Sequence, residues 1–289
     1  MRKTVAPRTP AFSVILLGAS GLLGRMVRAV WHESAGQDFD IKPVFRQAPN
    51  DADALCWAPG QDAANLPQVD AIVALWGVKP GPGADLDQNA ALGLAAMELG
   101  RALGAKKVLH ASSAAVYQPG PVPLHEEASL IPPSGYGAAK VAMEAKIARW
   151  QADNPGGPDS VLMRIGNVAG ADSLFANLGR GARIRLDRFP DGTAPRRSYI
   201  APQDLAAAIL ALVGSDLTGP VNVCAPMATG MDQIALAAGA EIDWVPAPDS
   251  ALPVVQLDCS RLQSIHEFPQ DSAKAAYLVN AARATGVWP

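Results

Sequence analysis

The chain has 289 residues, 49% hydrophobic and 18% charged, which is enough apolar mass for one large folded domain plus a smaller lobe and too much for a disordered chain. A formal net charge of −3 gives no general attraction to nucleic acid or to an anionic membrane. Cys56, Cys224 and Cys259 are far apart and form no CxxC pair, and His32, His110, His125 and His266 are equally scattered, so no disulfide framework or metal site is expected and a reducing cytoplasm suits the composition.

Arg2, Lys3 and Arg8 ahead of an apolar run at 12–17 imitate a secretory signal, but the run meets glycine at once and continues into an amphipathic helix. It reads as a buried first strand. Leu22, Leu23, Met26, Val27 and Val30 then recur at helical spacing, followed by apolar strands at 41–45 and 71–76. Leu92, Ala95, Ala96, Leu99 and Leu103 mark another helix, 107–111 a strand, 136–150 a helix and 160–165 a strand. This β-α-β order predicts an α/β fold with a Rossmann-like, doubly wound parallel sheet. After Gly166 the alternation fades into an arginine-bearing stretch, a helix at 204–212, a short strand at 221–223 and a proline-rich tail. The expected organisation is a nucleotide-binding domain over residues 1–170 and a small C-terminal substrate lobe over 171–289, some segments of which return to the first domain.

Residues 14–24 read Val-Ile-Leu-Leu-Gly18-Ala-Ser20-Gly21-Leu22-Leu-Gly24, a GxxGxxG pattern between strand and helix. Gly18 permits the sharp turn, Gly21 lets backbone N–H groups approach a pyrophosphate, Gly24 allows close helix packing, and the helix N-terminus adds partial positive charge. Glycines three apart also serve as plain turns, but the flanking strand and helix point to a dinucleotide site contacted by Gly18, Ser20, Gly21, Leu22 and Gly24. The second strand ends Val44-Phe45-Arg46-Gln47, without an acid for the adenosine ribose 2′-OH. Arg46 suits a 2′-phosphate, so NADP is favoured over NAD, the alternative being a solvated or adenine-stacked arginine.

Tyr136 and Lys140 stand four apart on one helical face, and Ser113 lies at the carboxyl end of the strand at 107–111, the edge where such a sheet places its ligand. A Tyr/Lys pair alone carries little weight; the serine raises it. An ammonium about 4 Å from a phenol contributes roughly 4 kcal/mol at an effective dielectric of 20, about three pKa units before desolvation. The expectation is a Tyr136 lowered toward neutral pH, acting as general base in oxidation of a hydroxyl and as general acid in the reverse reduction. Ser113 would hold the substrate oxygen in line.

At these residues the chain resembles the extended short-chain dehydrogenase/reductase family, the NAD-dependent epimerase/dehydratase group. The resemblance rests on Gly18-Ala-Ser-Gly21-Leu-Leu-Gly24, Ser112-Ser113-Ala-Ala-Val116-Tyr117, Tyr136-Gly-Ala-Ala-Lys140, Arg164-Ile-Gly-Asn167-Val-Ala-Gly170 and Arg197-Ser-Tyr-Ile-Ala-Pro-Gln-Asp204. It implies Ser113, Tyr136 and Lys140 as the catalytic set, with Lys140 also reaching the nicotinamide ribose. It further implies Asn89 beside the cofactor, Asn167 and Arg197 with Ser113 as substrate contacts, and a homodimer through the helices at 86–103 and 136–150.

There are departures. Trp76 stands where the family commonly has a small residue, so it either shapes the nicotinamide side of the pocket or packs in the core. Ala114 and Ala115 replace the acidic pair of the sugar-nucleotide 4,6-dehydratases, so that elimination is not expected. Arg180, Arg183, Arg185, Arg188, Arg196 and Arg197 either recognise an anionic substrate or form a solvated loop, and little aromatic interleaving argues against nucleic acid. The expected function is an NAD(P)-dependent oxidoreductase moving hydride between nicotinamide and a secondary alcohol or ketone of a small sugar-like substrate, anionic if the arginines bind it. The alternatives are a sugar or nucleotide-sugar epimerase and a non-catalytic NAD(P)-sensing protein.

Overall fold

The computed structural model describes residues 12–34, 38–47, 54–179 and 181–289; Arg2, Lys3, Arg8 and Arg180 lie outside them. In chain order the first elements are β1 (Phe12–Leu17), α1 (Leu22–Ser34), β2 (Phe39–Phe45), β3 (Leu55–Cys56), β4 (Ala71–Ala74), α2 (Gln88–Ala102), β5 (Lys107–Ser113), α3 (Gly135–Asp153) and β6 (Asp159–Ile165). Then come β7 (Asn167–Val168), α4 (Ser173–Asn177), β8 (Arg183–Arg188), β9 (Arg196–Ile200), α5 (Pro202–Gly214), β10 (Gly219–Val223) and β11 (Ala228–Gly230). The chain finishes with α6 (Met231–Ala238), β12 (Glu241–Pro246), β13 (Val254–Val255), α7 (Ser260–Gln263) and α8 (Ala275–Ala284).

Strand side chains alternate between faces, and here both faces are apolar, so each strand feeds two cores. Val14 and Leu16 of β1 pack with Val73, Val161 and Met163 under α1 and α5, where Val27, Leu205 and Ile209 cover them. Ile15 and Leu17 join Ile72, Val108 and Leu162 under α2 and α3, covered by Met97, Met143 and Ile147. The result is a seven-stranded sheet in the order β10-β6-β5-β4-β1-β2-β3, parallel at every pairing. Helix α5 and β10 bring the chain back from the lobe to this sheet. Strand β3, two residues long, has too little pattern to be seen in the sequence.

Strand order reverses between β1 and β4, opening a crevice at their carboxyl ends. The lobe closes over it with β7, β11 and β13 on β9 and a separate parallel pair, β8 with β12. Its own core gathers Phe175, Tyr199, Leu278 and Trp288, and takes Met26 from α1, which locks the lobe to the first helix.

Candidate active site

The Leu75 N–H donates to the Leu17 carbonyl at 3.0 Å, so the loops leaving β1 and β4 start side by side. Gly18 turns there with φ +81°, and a Cβ on it would stand 2.6 Å from the Trp76 backbone nitrogen. One on Gly24 would strike the Gly18 carbonyl oxygen, which is how closely α1 seats against the loop. Gly21, Leu22 and Leu23, at the N-terminus of α1, line the cavity in this crevice, so the positive end of the helix dipole borders it. Gly18→Ala is expected to weaken dinucleotide binding at least tenfold, about 1.4 kcal/mol or more, measured by calorimetric titration; unchanged affinity would deny the loop its role.

Ser113 ends β5 in extended backbone, and its Oγ accepts from the Ala115 N–H at 3.2 Å. Helix α3 starts at Ser134, whose hydroxyl caps the Gly137 N–H at 3.1 Å. A Cβ on Gly137 would collide with the Ala115 carbonyl oxygen, so the first turn of α3 lies against the turn after Ser113. That contact brings Tyr136 to Ser113, whose hydroxyl bonds the phenol. Lys140, buried one turn further on, donates from Nζ to the Ala111 carbonyl at 2.8 Å and lies 5.8 Å from the Tyr136 ring centroid.

The electrostatics correct the sequence expectation for Tyr136. Burial raises its pKa above the ordinary phenol value, and the Ser113 bond only partly pulls it back. Lys140 does not lower it, because the ammonium is committed to the Ala111 carbonyl and sits over the ring face. Lys140 itself is lowered to about 8 by burial, with the Glu144 carboxylate opposing the fall. Tyr136 thus keeps its proton at neutral pH.

Beneath this group runs a buried polar network. Ser112 Oγ donates to Glu144 Oε1 at 2.5 Å, and the same carboxylate pairs with Arg164 Nη2 at 2.7 Å. Arg164 Nη1 donates to the Tyr117 hydroxyl at 3.0 Å and to the Glu126 carbonyl at 2.7 Å, and Tyr117 donates to Asn222 Oδ1 at 2.7 Å. The Asn222 N–H donates to Glu126 Oε1 at 2.8 Å. Every member has a partner, so the network ties β5, α3, β6 and β10 together directly under Ser113 and Lys140.

One cavity of about 810 Å³ holds most of the residues singled out in the sequence: Gly18, Ser20, Gly21, Leu22, Arg46, Trp76, Ser113, Tyr136, Lys140 and Asn167 all line it. Gly24 lies beneath the loop. Asn89 does not reach the cavity; it is fully buried, accepting from the Val78 N–H at 3.1 Å and donating to the Val78 and Leu86 carbonyls at 3.0 and 2.9 Å. It pins the loop at 77–80, which does line the cavity. Arg197 is also outside, donating to the Arg196 and Leu252 carbonyls at 2.8 and 3.1 Å. Trp76 lines the cavity and stacks on Trp57 with ring centroids 6.0 Å apart. Trp57, Lys79, Asp172 and Ser173 line the cavity without having been recognised in the sequence. Only Trp57, just after a short apolar pair, offered any local signal.

The model of the NAD dependent epimerase/dehydratase family matches residues 14–224. The chain belongs to this family of enzymes. A UDP-glucose 4-epimerase of Lacticaseibacillus casei is 36% identical over 150 residues, covering 44% of this chain and 44% of that protein. The chain spans less than half the length of the curated relatives it matches. Among solved structures, Bordetella bronchiseptica WbmG in complex with NAD and UDP matches with a TM-score of 0.74 at 17% identity, covering 98% of this chain and 97% of that one. A UDP-N-acetylglucosamine 4-epimerase from Methanobrevibacter ruminantium, in complex with UDP-N-acetylmuramic acid, matches with a TM-score of 0.72 at 18% identity over 95% and 98% of the two chains. At such identities the likeness is one of fold.

Proposed function

We propose that the chain is an NAD(P)-dependent sugar epimerase acting at a secondary alcohol carbon. The observation that carries this reading is that a single cavity is lined both by the glycine loop and by Ser113, Tyr136 and Lys140. Family membership and the epimerase relatives support it over the net oxidoreductase that the sequence alone favours.

A dinucleotide fits these residues, since the loop leaves no room for a Cβ at Gly18 and the N-terminus of α1 lines the cavity. Gly18, Ser20, Gly21 and Leu22 would hold its pyrophosphate, Arg46 its adenosine ribose, and Lys140 its nicotinamide ribose, with Trp76 walling the site. When bound, it supplies reversible hydride exchange at the substrate carbon.

The protein handles the proton. In its phenolate form, reached by release of its own proton to solvent, Tyr136 Oη takes the substrate hydroxyl proton during oxidation and returns it after the ketone has turned its other face. Its raised pKa keeps it protonated at rest, which suits the donating half of the cycle. In the accepting half, the Ser113 hydroxyl, which partly offsets burial, favours the phenolate as it forms. Ser113 Oγ also bonds the substrate oxygen, fixing the line of transfer. Ala114 and Ala115 offer no acid for elimination.

The test is to follow a candidate sugar by chromatography while monitoring reduced nicotinamide. Epimer formation without steady cofactor reduction supports the proposal; continuous reduction would make the chain a net dehydrogenase. Arg46, exposed at the rim beyond β2, supports NADP as the preferred cofactor. Arg46→Ala is expected to weaken NADPH binding roughly tenfold or more, the worth of a charge-assisted bond, and NADH little; equal losses in parallel titrations would remove the preference. The reading includes a cytoplasmic homodimer built on α2 and α3, whose packed pair leaves Ala91, Ala138, Ala142 and Ala145 exposed.

A further inference from the structure

Charge along the cavity is unevenly distributed. Its cations are Arg46 beyond β2, Lys79 beyond β4 and Lys140 beside Ala111, whereas its one acid among the described lining residues is Asp172, past β7 on the lobe side. Asn167 and Ser173 line the same end. The Asp172 carboxylate is held rigidly: Oδ2 accepts from the buried Tyr199 hydroxyl at 2.9 Å and Oδ1 from the Phe175 N–H at 2.9 Å.

Among the described residues, no arginine of the stretch expected to bind an anion reaches this end; Arg180 lies outside them. Arg183 pairs with Glu241 and Asp243, and Arg188 lies over the Trp244 ring at 5.5 Å. Arg196 donates to the Ala228 carbonyl and Arg197 to that of Leu252, while Arg185 is exposed away from the cavity. A phosphate entering beside Asp172 would meet a fixed like charge, with no guanidinium among the described residues of this end to offset it. Hydroxyl groups there would instead donate charge-assisted bonds to the carboxylate.

We propose that the lobe end of the cavity takes an uncharged polyhydroxylated sugar or polyol, gripped through its hydroxyls by Asp172 and Asn167, and that the fixed carboxylate turns away phosphorylated and nucleoside-diphosphate-linked sugars. The inference rests on reading the cavity as a dinucleotide-plus-sugar site and narrows that site's substrate. Burial raises the Asp172 pKa, with its bonds to Phe175, Tyr199 and the neighbouring backbone pulling it back, so the test belongs at about pH 8, well above the ordinary carboxylate range.

The experiment is calorimetric titration of UDP into protein already saturated with NAD or NADP, for wild type, Asp172→Asn and Asp172→Ser. Asparagine and serine both serve as helix caps, so each variant removes the charge while keeping the start of α4. The wild type is expected to bind UDP more weakly than about 1 mM, and the variants at least about tenfold more tightly than the wild type. Wild-type binding in the micromolar range would overturn the proposal even if neither variant folded. So would variants that bind UDP no better than the wild type. Failure of both dinucleotides to bind, seen in the same cell before UDP is added, would strike instead at the reading of the cavity, and the inference would fall with it.

Discussion

Tyr136→Phe is expected to lower kcat by about a thousandfold while leaving dinucleotide affinity and melting temperature unchanged. The phenyl ring remains under the Lys140 ammonium, and Ser113 keeps its bond from the Ala115 N–H, so neither packing nor capping is lost. What disappears is the hydroxyl that exchanges the proton with the substrate. Water reaching the site in its place is not held in line by Ser113. Because the proton moves only in the chemical step, the loss belongs in kcat with little change in KM, provided chemistry limits turnover. Single-turnover measurement at saturating cofactor separates the two. A variant retaining more than a tenth of wild-type turnover would remove Tyr136 from the proton path.

Arg164→Met is expected to destabilise the protein by about 3–5 kcal/mol and to lower Tm by roughly 5–10 °C. The guanidinium forms the salt bridge to the buried Glu144 carboxylate, and the same group donates to Tyr117 and to the Glu126 carbonyl. Deleting it leaves a desolvated negative charge and an unpaired carbonyl, both more costly than the pair's own worth. Adding Glu144→Leu removes the stranded charge and should recover a large part of the loss, although Ser112 Oγ then loses its acceptor. Urea unfolding of the two single variants and the double gives the coupling directly. A loss under about 1 kcal/mol for Arg164→Met would contradict a network in which every member is required.

Much of this protein is visible in its sequence because the signals are local. The apolar runs of β1, β4, β5 and β6 are short and two-faced, and Gly18, Gly21 and Gly24 fall within seven residues of chain. Tyr136 and Lys140 are separated by a single helical turn. Asp172 illustrates what sequence hides: its place in the cavity depends on the lobe packing back onto Met26 of α1, a contact between residues far apart in the chain. Arg164 stood within a recognised motif, yet its function as the hub of a buried network needs Tyr117, Glu144 and Asn222 from three other elements. The Tyr136 pKa departs from the sequence expectation for a similar reason. Spacing puts Lys140 on the right face, but only packing shows that its ammonium is held by Ala111.

Titrating NADH and NADPH against the fluorescence of Trp57 and Trp76, which stack together in the cavity wall, tests the central claim most directly. Saturable quenching at one site per chain is expected, with a Kd in the roughly micromolar range, weakened by Gly18→Ala and left intact by Tyr136→Phe. No saturable change with either dinucleotide would contradict it.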